Sequence, residues 1–257
     1  MTSLADVVRF LDTELRTSEV PDYDAAKNGL QLANAGSVTK VAAAVDYSVQ
    51  TVAGALASGA DLLLVHHGMF WPGAEPVVGA AYERLKAAIS GGLAVYSSHL
   101  PLDLHPTLGN NALLARELGL APSETFGDYK GMDIGVMGAG DVETATIFER
   151  LRSFSERFRT TAVATSLAAG RRTRRWAVIT GAGANSESIA ECADRGVDTL
   201  IVGEGAHHTA VSAMERGLVI LYGGHYATET LGVKALADHV ASRFGLAATF
   251  VDFPTGL

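Results

Sequence analysis

The chain has 257 residues, 48% of them hydrophobic and 19% charged, with a formal net charge of −8; it is too apolar to be disordered and long enough for one large or two small packed units. The acidic balance argues against general nucleic-acid binding, which rests on Lys and Arg neutralising phosphates, and leaves small molecules as the better partners. A single cysteine, Cys192, excludes an intrachain disulfide and a thiolate-clustered zinc site, so a metal here needs His and carboxylate ligands.

No apolar run approaches the roughly 20 residues of a membrane span. Residues 1–6 lack the basic and apolar regions of a signal peptide, so a cytoplasmic address is expected. Leu4, Val7, Val8 and Leu11 share one face of a helix predicted over 3–17 with Ser3 as its cap. Pro21-Asp22-Tyr23-Asp24 makes a turn, and Asn28-Gly29 reads locally as another tight turn before Leu30-Gln31-Leu32. Residues 41–45 form the first clear strand, ending in Asp46. A helix through Val49, Val52, Ala53 and Leu56 follows, Gly59 breaks it, and a second strand opens at Leu62.

Strand, helix and strand in so short a stretch form a βαβ unit and predict an α/β fold with largely parallel sheets. The second strand stops abruptly at His66-His67-Gly68-Met69-Phe70-Trp71. After a helix over about 80–89, a strand over 93–96 also runs into polar residues: Ser97-Ser98-His99-Leu100-Pro101-Leu102-Asp103, then His105 and Gly109-Asn110-Asn111, with a helix over 112–118.

The segment 121–175 changes character, with a strand over 132–137, a charged amphipathic helix over 142–158 and a strand near 162–166. Arg171-Arg172-Thr173-Arg174-Arg175 invites a phosphate reading, but between two β-like stretches of an acidic chain it is read as a solvated turn. From Trp176 the first pattern returns. Ser58-Gly59-Ala60-Asp61-Leu62-Leu63-Leu64-Val65 aligns with Arg195-Gly196-Val197-Asp198-Thr199-Leu200-Ile201-Val202 without gaps, at an offset of 137 residues. The stretch from Gly92 to His99 matches that from Gly217 to His225 with one extra residue before the histidine. These matches predict an internal duplication, similar α/β halves over about 40–118 and 175–245, and a division of the chain into 1–120, a middle segment 121–175, and 176–257.

Chemistry then concentrates at strand ends. His66-His67, the stretch to Asp103, Glu204 with His207-His208, and His225 with Glu229 all follow strands whose carboxyl ends belong on one edge of a parallel sheet. Of the eight histidines only His239, in a C-terminal helix, falls outside these stretches, and it is expected at the surface. In His225-Tyr226-Ala227-Thr228-Glu229 the i,i+4 spacing sets imidazole and carboxylate one helical turn apart on one face. Imidazoles and carboxylates without thiolate suit zinc, manganese, iron or nickel, and two ions with a bridging carboxylate would favour hydrolysis. The Gly-rich turn 181–186 before a helix is either a weak anion site or tight packing.

Val65-His66-His67-Gly68-Met69-Phe70-Trp71, His99-Leu100-Pro101-Leu102-Asp103 with Gly109-Asn110, Gly203-Glu204, and Gly223-Gly224-His225-Tyr226-Ala227-Thr228-Glu229 together resemble the GTP cyclohydrolase I type 2 family, also called the NGG-interacting-factor-three-like family. Asn28-Gly29-Leu30-Gln31 resembles that family's N-terminal Asn-Val-Gly-Leu-Gln motif without its Val, which raises it above a mere turn. The resemblance spans nearly the whole chain, in the family's short form. It implies two similar, intertwined α/β/α halves and a dinuclear metal site matching His66, His67, Asp103, His225 and Glu229, with Asp103 or Glu229 as bridge. It also implies a toroidal homohexamer. Glu204 and His208 match positions near the metals and are expected to act as orienting or acid/base groups. His99 fits the motif as well, as a ligand or as a structural residue beside Pro101; His207 has no counterpart. Three functions stay open: a hydrolase acting on GTP, a dinuclear phosphoesterase acting on another nucleotide, and a non-catalytic metal-binding adaptor, carrier or regulatory protein.

Overall fold

A computed structural model describes residues 2–257. The chain forms two compact units. One comprises the described residues up to Leu102 together with Gly232–Phe253; the other comprises Asp103–Leu231 and Pro254–Leu257. The chain therefore leaves the first unit and returns to it inside the helix Thr230–Phe244.

The first unit is built on a five-stranded sheet in the order Ala247–Phe250, Lys40–Asp46, Leu62–His67, Ala94–Ser97, Gly29–Leu32. Its ladders are parallel except the last, to Gly29–Leu32. Every residue of Leu62–His67 is buried, as expected of a central parallel strand covered on both faces, and this accounts for its unbroken apolar run. The expected tight turn at Asn28-Gly29 is instead the entry to the edge strand: Lys27 and Gly29 both have positive φ (45° and 108°), which bends the chain sharply before the ladder begins.

The second unit carries six strands in the order Glu124–Tyr129, Met132–Glu143, Arg172–Ile179, Thr199–Val202, Val219–Tyr222, Val163–Ala164. Its three strands from the duplicated stretch, Arg172–Ile179, Thr199–Val202 and Val219–Tyr222, pair in parallel. The strands contributed by the middle segment pair antiparallel, so this sheet is mixed. Glu124–Tyr129 and Met132–Glu143 form a hairpin closed by Lys130-Gly131, both at positive φ, the backbone that a two-residue hairpin loop demands.

The arginine run is not a solvated turn. It lies largely within the strand Arg172–Ile179, antiparallel to Met132–Glu143. Alternation explains how a charged stretch can be a strand: the buried Thr173 hydroxyl meets those of Thr144 at 2.9 Å and Thr199 at 2.8 Å, while Arg172 and Arg174 face outward. Arg172 pairs with Asp141 and Arg175 with Glu124.

The duplication repeats bond for bond. Asp61 accepts the backbone N–H groups of Thr39 and Lys40; Asp198 accepts those of Arg174 and Arg175. Ser48 and Thr51 cap one helix reciprocally, and Asn185 and Ser188 cap its counterpart. The Thr51 hydroxyl donates to the Asp46 carbonyl, and the Ser188 hydroxyl to that of Gly183. Among the described residues no helix is long and apolar enough to cross a membrane.

Candidate metal centre

In the first unit, the strand Leu62–His67 delivers His66 and His67 to its carboxyl end, with ring centroids 4.9 Å apart. His66 Nδ1 lies 2.9 Å from the Ser98 carbonyl oxygen. A carbonyl only accepts, so Nδ1 carries the hydrogen and, in the neutral ring, Nε2 keeps its lone pair. His67 Nδ1 is held in the same way by Asp46 at 2.9 Å, and His99 Nδ1 by Asp22 at 2.8 Å. All three imidazoles are buried, and one ligand nitrogen from each lies within 4.8 Å of the other two. Orientation of one ring nitrogen by an oxygen is how metal-binding histidines are prepared, so this donor set fits a divalent cation.

The Asn28-Gly29-Leu30-Gln31 motif clasps this cluster. Asn28 Oδ1 accepts from the His99 backbone N–H at 2.8 Å, and its amide donates to Asp22 at 2.7 Å. Gln31 Oε1 accepts from the Met69 N–H, while its amide donates to the carbonyls of Ala26 and Lys27. A Cβ at position 68 would lie 2.3 Å from Gln31 Oε1, so Gly68 is what lets the clasp close. Burial pushes the Asp22 carboxyl up, but the His99 and Asn28 hydrogen bonds outweigh it and hold the group below its usual value.

In the second unit, Gly224, at φ 90°, turns the chain into the short helix His225–Thr228. The i,i+4 expectation is met: His225 Nε2 lies 3.2 Å from Glu229 Oε2, while Nδ1 lies 2.8 Å from Glu204 Oε1. Glu204 thus orients His225 as Asp46 orients His67. Burial pushes the His225 imidazole down, yet the two carboxylates, Glu229 foremost, raise it to about 9. Asp103 is buried at the end of the helix Leu100–Asp103 and accepts from Asn110 Nδ2 at 2.9 Å. His207 and His208 are exposed on the first turn of the helix His207–Glu215.

Three amides of the turn 181–186 are taken up by packing. The Gly181 N–H bonds to the Thr228 hydroxyl, the Ala184 N–H to the Glu204 carbonyl and the Asn185 N–H to the Ser188 hydroxyl, so these amides are committed internally. Gly181 has φ +61°, and a Cβ there would lie 2.1 Å from Glu229 Oε1 and 3.3 Å from His225 Nε2. Gly181→Ala is expected to displace the Glu229 carboxylate, adding about 1–3 kcal/mol of local strain and weakening metal binding by about tenfold or more. Titration calorimetry with Zn²⁺ checks this, and unchanged affinity would refute the role given to Gly181.

Metal uptake through His225 would have to displace its proton. Apparent affinity is therefore expected to rise with pH, approaching about tenfold per unit between the ordinary histidine value of 6.5 and about 9. Without metal the sign reverses for stability: the charged imidazole contributes fully below 6.5, and that contribution is lost as pH rises through about 9. Removing a carboxylate by Glu204→Gln should shift the uptake profile to lower pH and cost about ten- to hundredfold in maximal affinity. Calorimetry across pH 6–9.5 separates these effects.

Sequence reasoning left His99 between ligand and structural residue, and missed Asp22 and Asp46 as orienting partners. A signal was present. Extending the alignment of the halves past the extra residue sets His99 and Asp103 opposite His225 and Glu229, and both histidines hold Nδ1 against a carboxylate.

Residues 2–255 match the family model described as Duf34/NIF3 (NGG1p interacting factor 3). This chain belongs to that family. Among its NIF3 relatives, a GTP cyclohydrolase 1 type 2 homolog of Deinococcus radiodurans is 41% identical, over 98% of this chain and 94% of that protein. A homolog of the same description from Pyrococcus abyssi is 40% identical over 98% of both. The crystal structure of TTHA1606 from Thermus thermophilus covers 100% of each chain with a TM-score of 0.83 and 34% identity.

Proposed function

We propose that this NIF3 member binds two divalent ions, Zn, Mn, Fe or Ni, through His66, His67, Asp103, His225 and Glu229, and acts as a metal-dependent hydrolase on a small, nucleotide-like substrate. The observation that carries this reading is the common preparation of the imidazoles. His66, His67 and His225 each have Nδ1 engaged by an oxygen, from Ser98, Asp46 and Glu204 respectively. Asp103 and Glu229 would supply the carboxylate ligands to those ions. Divalent ions held there supply Lewis acidity and a hydroxide source near neutral pH.

The chain's own groups orient and exchange protons. Glu204 fixes the His225 ring while its side chain stays 48% exposed, and exposed His208 is a second group able to trade protons with solvent. The description of the curated relatives makes GTP the first substrate to assay. The test is metal quantification on the purified protein, followed by turnover of GTP and a panel of phosphoesters with and without Mn²⁺ or Zn²⁺. Metal-dependent turnover supports the hydrolase. Stoichiometric metal with no turnover transfers the assignment to a metal-binding adaptor or carrier, and protein that binds no metal overturns both.

The same reading includes a homo-oligomer, a toroidal hexamer of this chain. Support comes from an exposed apolar stripe on the helix Gly79–Ser90 and its entry: Val78 is 70% exposed, Tyr82 46% and Ile89 61%, at helical spacing. Light scattering should give a mass of six chains, and a monomer at micromolar concentration would remove this part of the proposal.

A further inference from the structure

Resting on the metal reading above, we infer that the segment Pro254–Leu257 is a strap that fixes the backbone of the turn carrying His225, so that docking of the segment and metal binding at His225 strengthen one another. Segment and turn belong to the same compact unit.

The turn needs outside help for a local reason. The helix His225–Thr228 is only four residues long, and the first N–H groups of any helix have no acceptor within it. Gly224, at its N-cap, has no side chain to supply one. The acceptor comes from residue 257: the Tyr226 N–H donates to the Leu257 carbonyl oxygen at 3.1 Å. Thr160 secures the segment, its hydroxyl donating to the Gly256 carbonyl at 3.0 Å. On the other side of His225 the fit is as close. A Cβ at Gly224, where φ is +90°, would lie 2.7 Å from Thr160 Cγ2 and 3.3 Å from the Leu257 oxygen. Leu257 therefore lies against both chain neighbours of His225.

The first half has the same device built from other residues. The alignment that sets His99 opposite His225 also sets Leu100 opposite Tyr226, and the Leu100 N–H donates to Asp22 Oδ2 at 2.9 Å. Asp22 thus holds both the His99 ring and the backbone beside it. In the second half these tasks are divided: Glu204 holds the His225 ring, and the Leu257 carbonyl holds the backbone. The division has a mechanical consequence. Thr255, Gly256 and Leu257 are exposed, whereas Asp22 is only 7% exposed at its side chain, so the strap can undock without opening the core. Undocking frees the main chain of a ligand whose ring nitrogen must stay within about 0.5 Å of its place. By linkage, whatever factor the docked strap adds to metal affinity, bound metal adds to docking.

The test compares the full chain, a chain cut after Phe253, Thr160→Val and Thr160→Ser. Calorimetry reads Zn²⁺ affinity, and hydrogen exchange with and without Zn²⁺ reads the segment 224–228. The cut chain should bind Zn²⁺ about 5- to 150-fold more weakly. Thr160→Val, which loses one hydrogen bond of the strap, should bind about fivefold more weakly, and Thr160→Ser as the wild type does. Metal-free melting temperatures should differ by no more than about 2–4 °C. Zn²⁺ should slow exchange over 224–228 more in the full chain than in the cut one, an effect that a merely structural tail would not produce.

Equal Zn²⁺ affinity in the full and cut chains overturns the strap, as does equal slowing of exchange in both. Thr160→Val keeps every backbone group and decides the matter if the cut chain melts early: wild-type affinity in that variant overturns the proposal. Failure of the strap with Zn²⁺ bound leaves the metal reading standing. A full chain that takes up no Zn²⁺ overturns the metal reading and the strap together.

Discussion

His67→Ala is expected to lower metal affinity by a hundredfold or more, above the roughly ten- to hundredfold that loss of an orienting partner costs. The imidazole is buried, its Nδ1 is fixed by Asp46, and it stands at the end of a fully buried central strand, so no neighbouring segment can slide in to replace it. His225→Ala should behave alike. It also removes the group whose pKa lies near 9, and so should flatten the pH dependence of uptake that the wild type shows. His208→Ala, on the exposed first turn of its helix, should leave metal content unchanged. Metal analysis after dialysis against a weak chelator reads all three. A His67→Ala protein that retains the metal content of the wild type would remove that residue from the proposed ligand set.

The largest effect on stability is expected at Asp22. Its side chain is 7% exposed and accepts from His99 Nδ1 at 2.8 Å, Asn28 Nδ2 at 2.7 Å, the Leu100 N–H at 2.9 Å and the Tyr23 N–H at 2.7 Å. Asp22→Ala deletes the acceptor and strands the part-buried donors of His99, Asn28 and Leu100, which costs about 3–5 kcal/mol. In a chain of this size that corresponds to a fall in Tm of roughly 6–20 °C. Asp22→Asn keeps the shape and one acceptor oxygen, and should fall between. Because the Asp22 carboxyl is held below its usual value, its contribution is present above the ordinary carboxylate range and is lost as pH falls through the lowered value. Calorimetric melts at pH 7 decide the matter, and an Asp22→Ala protein within 1 kcal/mol of wild type would show that the clasp does not hold His99.

Much of this was legible because it depends on short-range pattern. The unbroken run at Leu62–His67 announced a central parallel strand, and the offset between Asp61 and Asp198 announced a duplication that the hydrogen bonds then repeat. The i,i+4 pair His225 and Glu229 came together because helical geometry alone sets that spacing. Other features resisted. Arg171 to Arg175 looked like a turn because charge density masks a period-two strand, and only its partner strand reveals the alternation. The strand Ala247–Phe250 is four residues long with two alanines, too weak a local signal, and becomes a strand by pairing with Lys40–Asp46.

Residue type and spacing by themselves determined which side chains carry chemistry: imidazoles and carboxylates at strand ends, no thiolate among them, in a chain folded twice to the same plan. Tertiary structure decided how those side chains are held. That Asp22 grips His99 from 77 residues away in sequence, that Asn28 and Gln31 clasp the strand end, and that Gly181 must lack a Cβ for Glu229 to lie where it does are contacts between distant segments. Local propensity carries no record of them, because each exists only once packing has brought the two segments within hydrogen-bonding or van der Waals distance.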